Sequence, residues 1–155
     1  MTFEDLDAWK KARELVNVIY EVTRRSSLSK DFGLCGQIQR AAVSTMSNVA
    51  EGFERQHSPE KLQAYNIARA SCGEVRSLLY VIEDNYPQNA SIARETRKIV
   101  GDAGSLISGL IASTRKRLIV KAGATVGLMG ILGWVGLRLL GQPLSSIFHL
   151  LSPIS

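Results

Sequence analysis

The sequence has little of what disulfide scaffolds and proline-rich linkers are made of. Two cysteines and four prolines in 155 residues exclude both architectures. Cys35 and Cys72 lie in apolar-periodic segments with no CxxC spacing and no nearby histidine, so they read as reduced, packed thiols and not as zinc ligands. Acidic residues disappear beyond Asp102. All 14 lie between Glu4 and Asp102, and residues 118-155 hold only Lys121 and Arg138 as permanent charges. The last 38 residues are therefore built for a different solvent from the first 117. The opening MTFEDLDAWKK is acidic and amphipathic, without the basic and then apolar regions of a secretory signal.

What is present is a composition of the soluble globular kind, 45% apolar and 21% charged, of a length that suits one domain. The formal charge is +5, of which residues 1-117 carry +3, with 17 basic residues against 14 acidic. So mild an excess permits a nucleic-acid partner without establishing one.

The periodicity is helical throughout, and no strand-like alternation of useful length occurs. Thr2 and Asp5 form a capping-box-like start, after which Leu6, Trp9, Leu15, Val16, Ile19 and Val22 recur at three- and four-residue spacing. This predicts a first helix from about Phe3 to Arg25, with Trp9 in the core. A polar connector, Ser26 to Asp31, precedes a second helix with Leu34, Ile38, Ala41, Ala42, Val49 and Phe53 on one face, ending near Glu54. Ser58 as N-cap and Pro59 as first helical residue predict the start of a third helix. Its stripe runs through Leu62, Tyr65, Ala68, Cys72, Val75, Leu78, Leu79 and Ile82 until Asn85-Tyr86-Pro87 stops it. A fourth helix reaches at least Ser113, with Ile92, Ile99, Ala103, Leu106, Leu110 and Ile111 expected to face inward. Four such helices with short connectors predict an all-α fold over residues 1-117, an antiparallel up-down-up-down four-helix bundle.

Residues 118-140 form a separate segment. As a helix they would extend ~34 Å, against a hydrocarbon core of ~30 Å, and the centre from Ala122 to Leu137 carries no charge. The pattern predicts a C-terminal transmembrane-like helix whose Lys121 and Arg138 snorkel to opposite headgroup layers. The competing reading is a fifth helix of a soluble protein, or a disordered extension, but no polar face interrupts the run. Arg115, Lys116, Arg117 and Lys121 flank one side and Arg138 the other, which places the bundle in the cytoplasm beneath a bacterial inner membrane. Gly141-Gln142-Pro143 ends the helix, and residues 141-155 form a short tail able to rest on the interface.

Two surfaces could carry function. On helix 2, Gln37, Arg40, Ser44, Asn48, Glu51 and Arg55 recur on one side, either as a self-association surface or as a solvated face laced by ion pairs. At one pole of the bundle, Arg24, Arg25, Lys30, Arg94, Arg97 and Lys98 should gather as a possible nucleic-acid-binding cluster. Glu83 and Asp84 arrive at the same pole, and no aromatic residues interleave. Catalysis finds no support. His57 and His149 stand in different segments without a neighbouring nucleophile or metal-ligand set, Arg55 and His57 are too close for an Arg-His nuclease motif of the HEPN type, and no glycine-rich phosphate loop is present. No cofactor and no metal is expected.

Several blocks carry a family resemblance: Phe3, Leu6, Trp9, Ala12, Leu15, Ile19-Tyr20 and Thr23; Phe32-Gly33-Leu34, Gln37-Ile38 and Arg40-Ala41-Ala42-Val43-Ser44; Ser47-Asn48-Val49-Ala50-Glu51-Gly52, Arg55 and Ser58; Ala70-Ser71 and Glu74. With them the bundle resembles the four-helix-bundle family named for the 23S rRNA intervening sequence, Gln37 to Gly52 being the specific part. The resemblance implies a non-enzymatic homo-oligomer, a pentameric ring, related to the accessory protein of diversity-generating retroelements, which binds reverse transcriptase and nucleic acid. Residues 118-155 depart from the family's pattern. The expected function is an oligomeric bundle tethered to or inserted in the membrane, a scaffold or a permeabilising assembly with lipid as partner. The alternative is a nucleic-acid-binding accessory module, with nucleic acid or a second protein as partner.

Overall fold

The computed structural model describes residues 2-25 and 27-140, the backbone alone for Lys121 and residues 124-140. The expected interfacial tail, 141-155, lies outside the described residues. Contacts divide the chain into two units, Met1–Lys116 and Arg117–Ser155. Among the described residues there are four α-helices, α1 (Asp7–Thr23), α2 (Phe32–Glu54), α3 (Ser58–Asn85) and α4 (Ala90–Leu140), with short 3₁₀ turns and no strands.

The first helix starts later than its periodicity predicts. The Thr2 N–H donates to Asp5 Oδ2 at 2.8 Å, but the turn so closed is 3₁₀, Phe3–Asp5, and Leu6 is extended at ψ 127° before α1 begins at Asp7. The break turns Leu6 into the core and sets Phe3 edge-on to Trp9, ring centroids 5.2 Å apart. Trp9 itself is half-buried, covered by Phe3 on one side and by the Arg13 guanidinium 5.7 Å from its ring. It packs against the edge of the core, whose α1 face is centred on Ala8, Ala12, Leu15, Ile19 and Val22, because at 3.6 residues per turn Trp9 stands about a quarter-turn from Ala8.

Between α1 and α2 a 3₁₀ turn, Ser27–Lys30, drives Leu28 into full burial. Asp31 then caps α2 by accepting the Leu34 N–H at 3.0 Å, which satisfies one of the unpaired donors of the first turn. The buried face of α2 is made of small residues, including Ala41, Ala42, Thr45 and Gly52, so α3 approaches closely. A Cβ at Gly52 would stand 2.4 Å from Tyr65 Cε1. Glycine is required there by the approach of the ring.

His57, not Ser58, occupies the N-cap of α3; Ser58 is its first residue and Pro59 its second. The one-residue shift leaves proline harmless, since the first turn needs no intrahelical N–H. Lys61 reaches back with Nζ to the Phe53 carbonyl at 2.7 Å and that of Gly52 at 3.3 Å, closing the end of α2. Helix α3 ends at Asn85, and Pro87 opens a 3₁₀ turn into α4.

On α4 the expected Ala103 and Ile111 are buried and Ile92, Ile99 and Leu110 pack partly buried against the core, but Leu106 does not join them. Ala93, Thr96, Val100, Ala103, Ile107 and Ile111 face inward, whereas Leu106 is 38% exposed. Thr96 hides its hydroxyl on the Ile92 carbonyl at 2.7 Å, so a β-branched polar residue fits on the buried face. The core joins Leu15, Ile19, Ile38, Leu79, Ile82 and Ile107, all fully buried, each contributing roughly 1.5-3 kcal/mol relative to exposure. The helices run antiparallel: the α3–α4 contacts Arg69 with Ser108, Tyr80 with Arg97 and Glu83 with Arg94 descend one helix as they climb the other.

Candidate functional site

The α2 stripe lies along the seam with α3, and much of it is engaged within the chain. Gln37 Nε2 donates to Glu74 Oε1 at 3.4 Å. Ser44 and Ser71 share a hydroxyl contact at 2.9 Å, and Asn48 Nδ2 donates to the Ser44 carbonyl at 2.9 Å. Arg55 binds Glu51, one turn back, at 2.5 Å, with Glu60 of α3 at 3.9 Å. Glu51 pushes the Arg55 guanidinium pKa up. Asn48, Glu51, Arg55, Glu60, Gln63 and Ile67 border an open recess of about 260 Å³. Arg40 stands apart: it makes no ion pair among the described residues and lies over Gly36, where a Cβ would be 3.2 Å from its Nη1. With Tyr20, Gln39, Val43 and Ser47 it borders a shallow groove on the α1 side of about 470 Å³.

The basic pole is largely neutralised by its own carboxylates. Arg94 binds Glu83 Oε1 at 2.8 Å and Arg97 binds Glu83 Oε2, so the two guanidinium groups, Arg97 first, hold the Glu83 pKa below its ordinary value. Arg97 also stacks on Tyr80, 4.1 Å from the ring centroid. Arg25 pairs with Glu21, while Arg24 covers Tyr20 at 5.9 Å. Lys30 and Lys98 are exposed and make no ion pair among the described residues.

The thiols are inert in character. Cys35 donates to the Leu28 carbonyl at 3.2 Å, and burial pushes the pKa of both Cys35 and Cys72 up, away from a reactive thiolate. His57 is exposed at the start of α3, and His149 lies outside the described residues. Among the described residues no group of three or more His, Cys, Asp or Glu could hold a metal ion.

Arg115, Lys116 and Arg117 are exposed. Among the described residues no helix is long and apolar enough to cross a membrane. Of Lys121 and residues 124-140, Arg138 included, the structure describes the backbone alone, as helix.

An all-α bundle with small-residue helix contacts and a polar α2–α3 seam defines the class of protein. The chain belongs to the 23S rRNA-intervening sequence protein family, whose model matches residues 4-109. In fold it is similar to a protein of unknown function from the S23 ribosomal protein family of Bacteroides thetaiotaomicron, with a TM-score of 0.61 and 18% identity over 68% of this chain and 95% of that one. No curated protein matches it in sequence.

Residues outside the α2 row and the basic pole also shape the surface. Ser71 and Glu74 complete the seam, and Arg76, Glu95 and Asp102 carry exposed charge beside α4. Their signal was a seven-residue spacing, Arg69 to Arg76 and Glu95 to Asp102, which on a helix returns to nearly the same flank.

Proposed function

We propose that the protein is a non-enzymatic assembly protein, a self-associating four-helix bundle held at or inserted into the bacterial inner membrane by the second half of α4. The observation that carries this reading is the continuation of α4 as helix through Leu140, over a sequence with no charge from Ala122 to Leu137. An uncharged helical run with glycine at 123, 127, 130, 133 and 136 suits close helix packing in lipid. Arg115, Lys116 and Arg117 then meet the headgroups and keep the bundle cytoplasmic. Family membership supports a homo-oligomer, with a pentameric ring as the working stoichiometry. Several such helices brought together would scaffold or permeabilise the bilayer.

Fractionation tests this reading. The full-length chain should sediment with membranes and need detergent for release, while a chain ending at Arg117 should lose the association. Full-length protein that stays in the soluble fraction as a uniform particle without detergent would overturn it. The nucleic-acid reading ranks second, on Lys30 and Lys98, which make no ion pair among the described residues, because Glu83 and Glu21 already neutralise Arg94, Arg97 and Arg25.

A further inference from the structure

Phe32 is the most exposed large apolar side chain among the described residues, 83% exposed at the first position of α2. The helical period continues the same flank of α2 through Gly36, Arg40 and Val43, at three- and four-residue spacing. Gly36 lets Arg40 lie back along the helix, since a Cβ there would stand 3.2 Å from Arg40 Nη1. Across the groove, Gln39 Nε2 donates to Thr23 Oγ1 at 2.7 Å and fixes the register of α1 against α2. In that register Arg24, stacked on Tyr20 at 5.9 Å, falls between the levels of Phe32 and Arg40. Lys30 precedes Phe32 by two residues. Arg24, Lys30 and Arg40 are exposed and make no ion pair among the described residues. The carboxylates nearest in sequence are spent elsewhere, Asp31 on the Leu34 N–H and the Tyr86 hydroxyl, Glu21 on Arg25. No acidic residue borders the groove of about 470 Å³ where Tyr20 and Arg40 meet.

We infer that this face of α1 and α2 binds single-stranded nucleic acid, with Phe32 as the platform for a base and Arg24, Lys30 and Arg40 as contacts to phosphate. The inference goes beyond the membrane reading and does not need it, because each of these residues lies in the unit Met1–Lys116. It also moves the nucleic-acid site away from Arg94, Arg97 and Lys98, to the place where an aromatic ring and uncompensated cations coincide.

The pairing of ring and cation selects the ligand. A single strand offers a flat apolar base and an anionic phosphate at every step, and aromatic stacking beside basic side chains holds both. A duplex keeps the faces of its bases in the stack, so it would meet the cations and leave the ring in water. An acidic peptide would do the same. A protein anchor needs a pocket that excludes water around it, and the groove is too shallow for one.

Anisotropy of a labelled short oligouridylate tests the site, with the full-length chain in non-ionic detergent titrated at several salt concentrations. Three phosphate contacts predict a slope of log K against log[salt] of about −2. Phe32→Ala should weaken binding about fivefold or more at every salt concentration and leave the slope unchanged. Arg40→Gln should make the slope shallower by about 0.7. Lys98→Gln should change neither, and all three variants should keep the helicity of the wild type by circular dichroism. A wild-type chain that does not bind, or that binds duplex RNA or polyglutamate as tightly, would overturn the inference. So would Phe32→Ala that binds like wild type. A slope lowered by Lys98→Gln and not by Arg40→Gln would return the site to the basic pole, whereas the fractionation result bears on the anchor alone.

Discussion

Tyr86 donates its phenolic hydroxyl to Asp31 Oδ2 at 2.7 Å, joining residues 55 apart in sequence. The contact ties the turn between α3 and α4 to the cap of α2, so one carboxylate holds both a helix start and a pole of the bundle. The Leu34 N–H first, and then Tyr86, pull the Asp31 pKa below its ordinary value. A depressed folded-state pKa contributes stability that is present above the unfolded value, ~3.9 for Asp, and is lost as pH falls through the folded value. Asp31→Asn should lower the melting temperature at pH 7, and the difference from wild type should shrink as the medium is acidified below pH 4. Thermal melts by circular dichroism from neutral to acid pH check this; equal melting temperatures at pH 7 would show that the cap contributes nothing.

Gly52 lies directly against the Tyr65 ring where α2 and α3 cross. Gly52→Ala should therefore destabilise by roughly 1-3 kcal/mol, the range for overpacking, despite alanine's better helix propensity. Tyr65→Leu in the same chain should recover part of the loss, since the two sites share one volume. Denaturant titrations of the two single variants and the double variant measure the coupling; additive effects would place the clash elsewhere.

The register of α4 can be read from two adjacent residues. Ile107→Ala should cost about 2-5 kcal/mol as a core deletion, whereas Leu106→Ala should stay within about 1 kcal/mol, as expected of a surface change. Unfolding monitored by circular dichroism decides, and a reversed order would restore the register expected from the apolar pattern alone.

Glu51 has its partner, Arg55, on its own helix. Glu51→Ala should leave both helicity and oligomer mass unchanged, because exposed pairs one turn apart contribute little. Light scattering on the same sample checks it. A fall to monomer would place a subunit contact on the α2 seam.

The sequence by itself determined four amphipathic helices, the stops at Asn85 and Glu54, and the membership that Gln37 to Gly52 signal. These depend on local chemistry, a 3.6-residue period with proline and polar punctuation, which each segment carries alone. Tertiary structure decided what depends on a second helix. Leu106 and Ile107 are equally apolar, and only packing against the other helices selects which is buried. That Glu83 shares a pole with Arg94 and Arg97 follows from the order of the helices, but that one carboxylate binds both depends on how α3 packs on α4. Ser44 was one of a surface row until Ser71 met it across the seam. The helical period states which residues share a face, but it does not state what the face meets, because charge and hydroxyl pairing between helices depends on distances that no single segment contains.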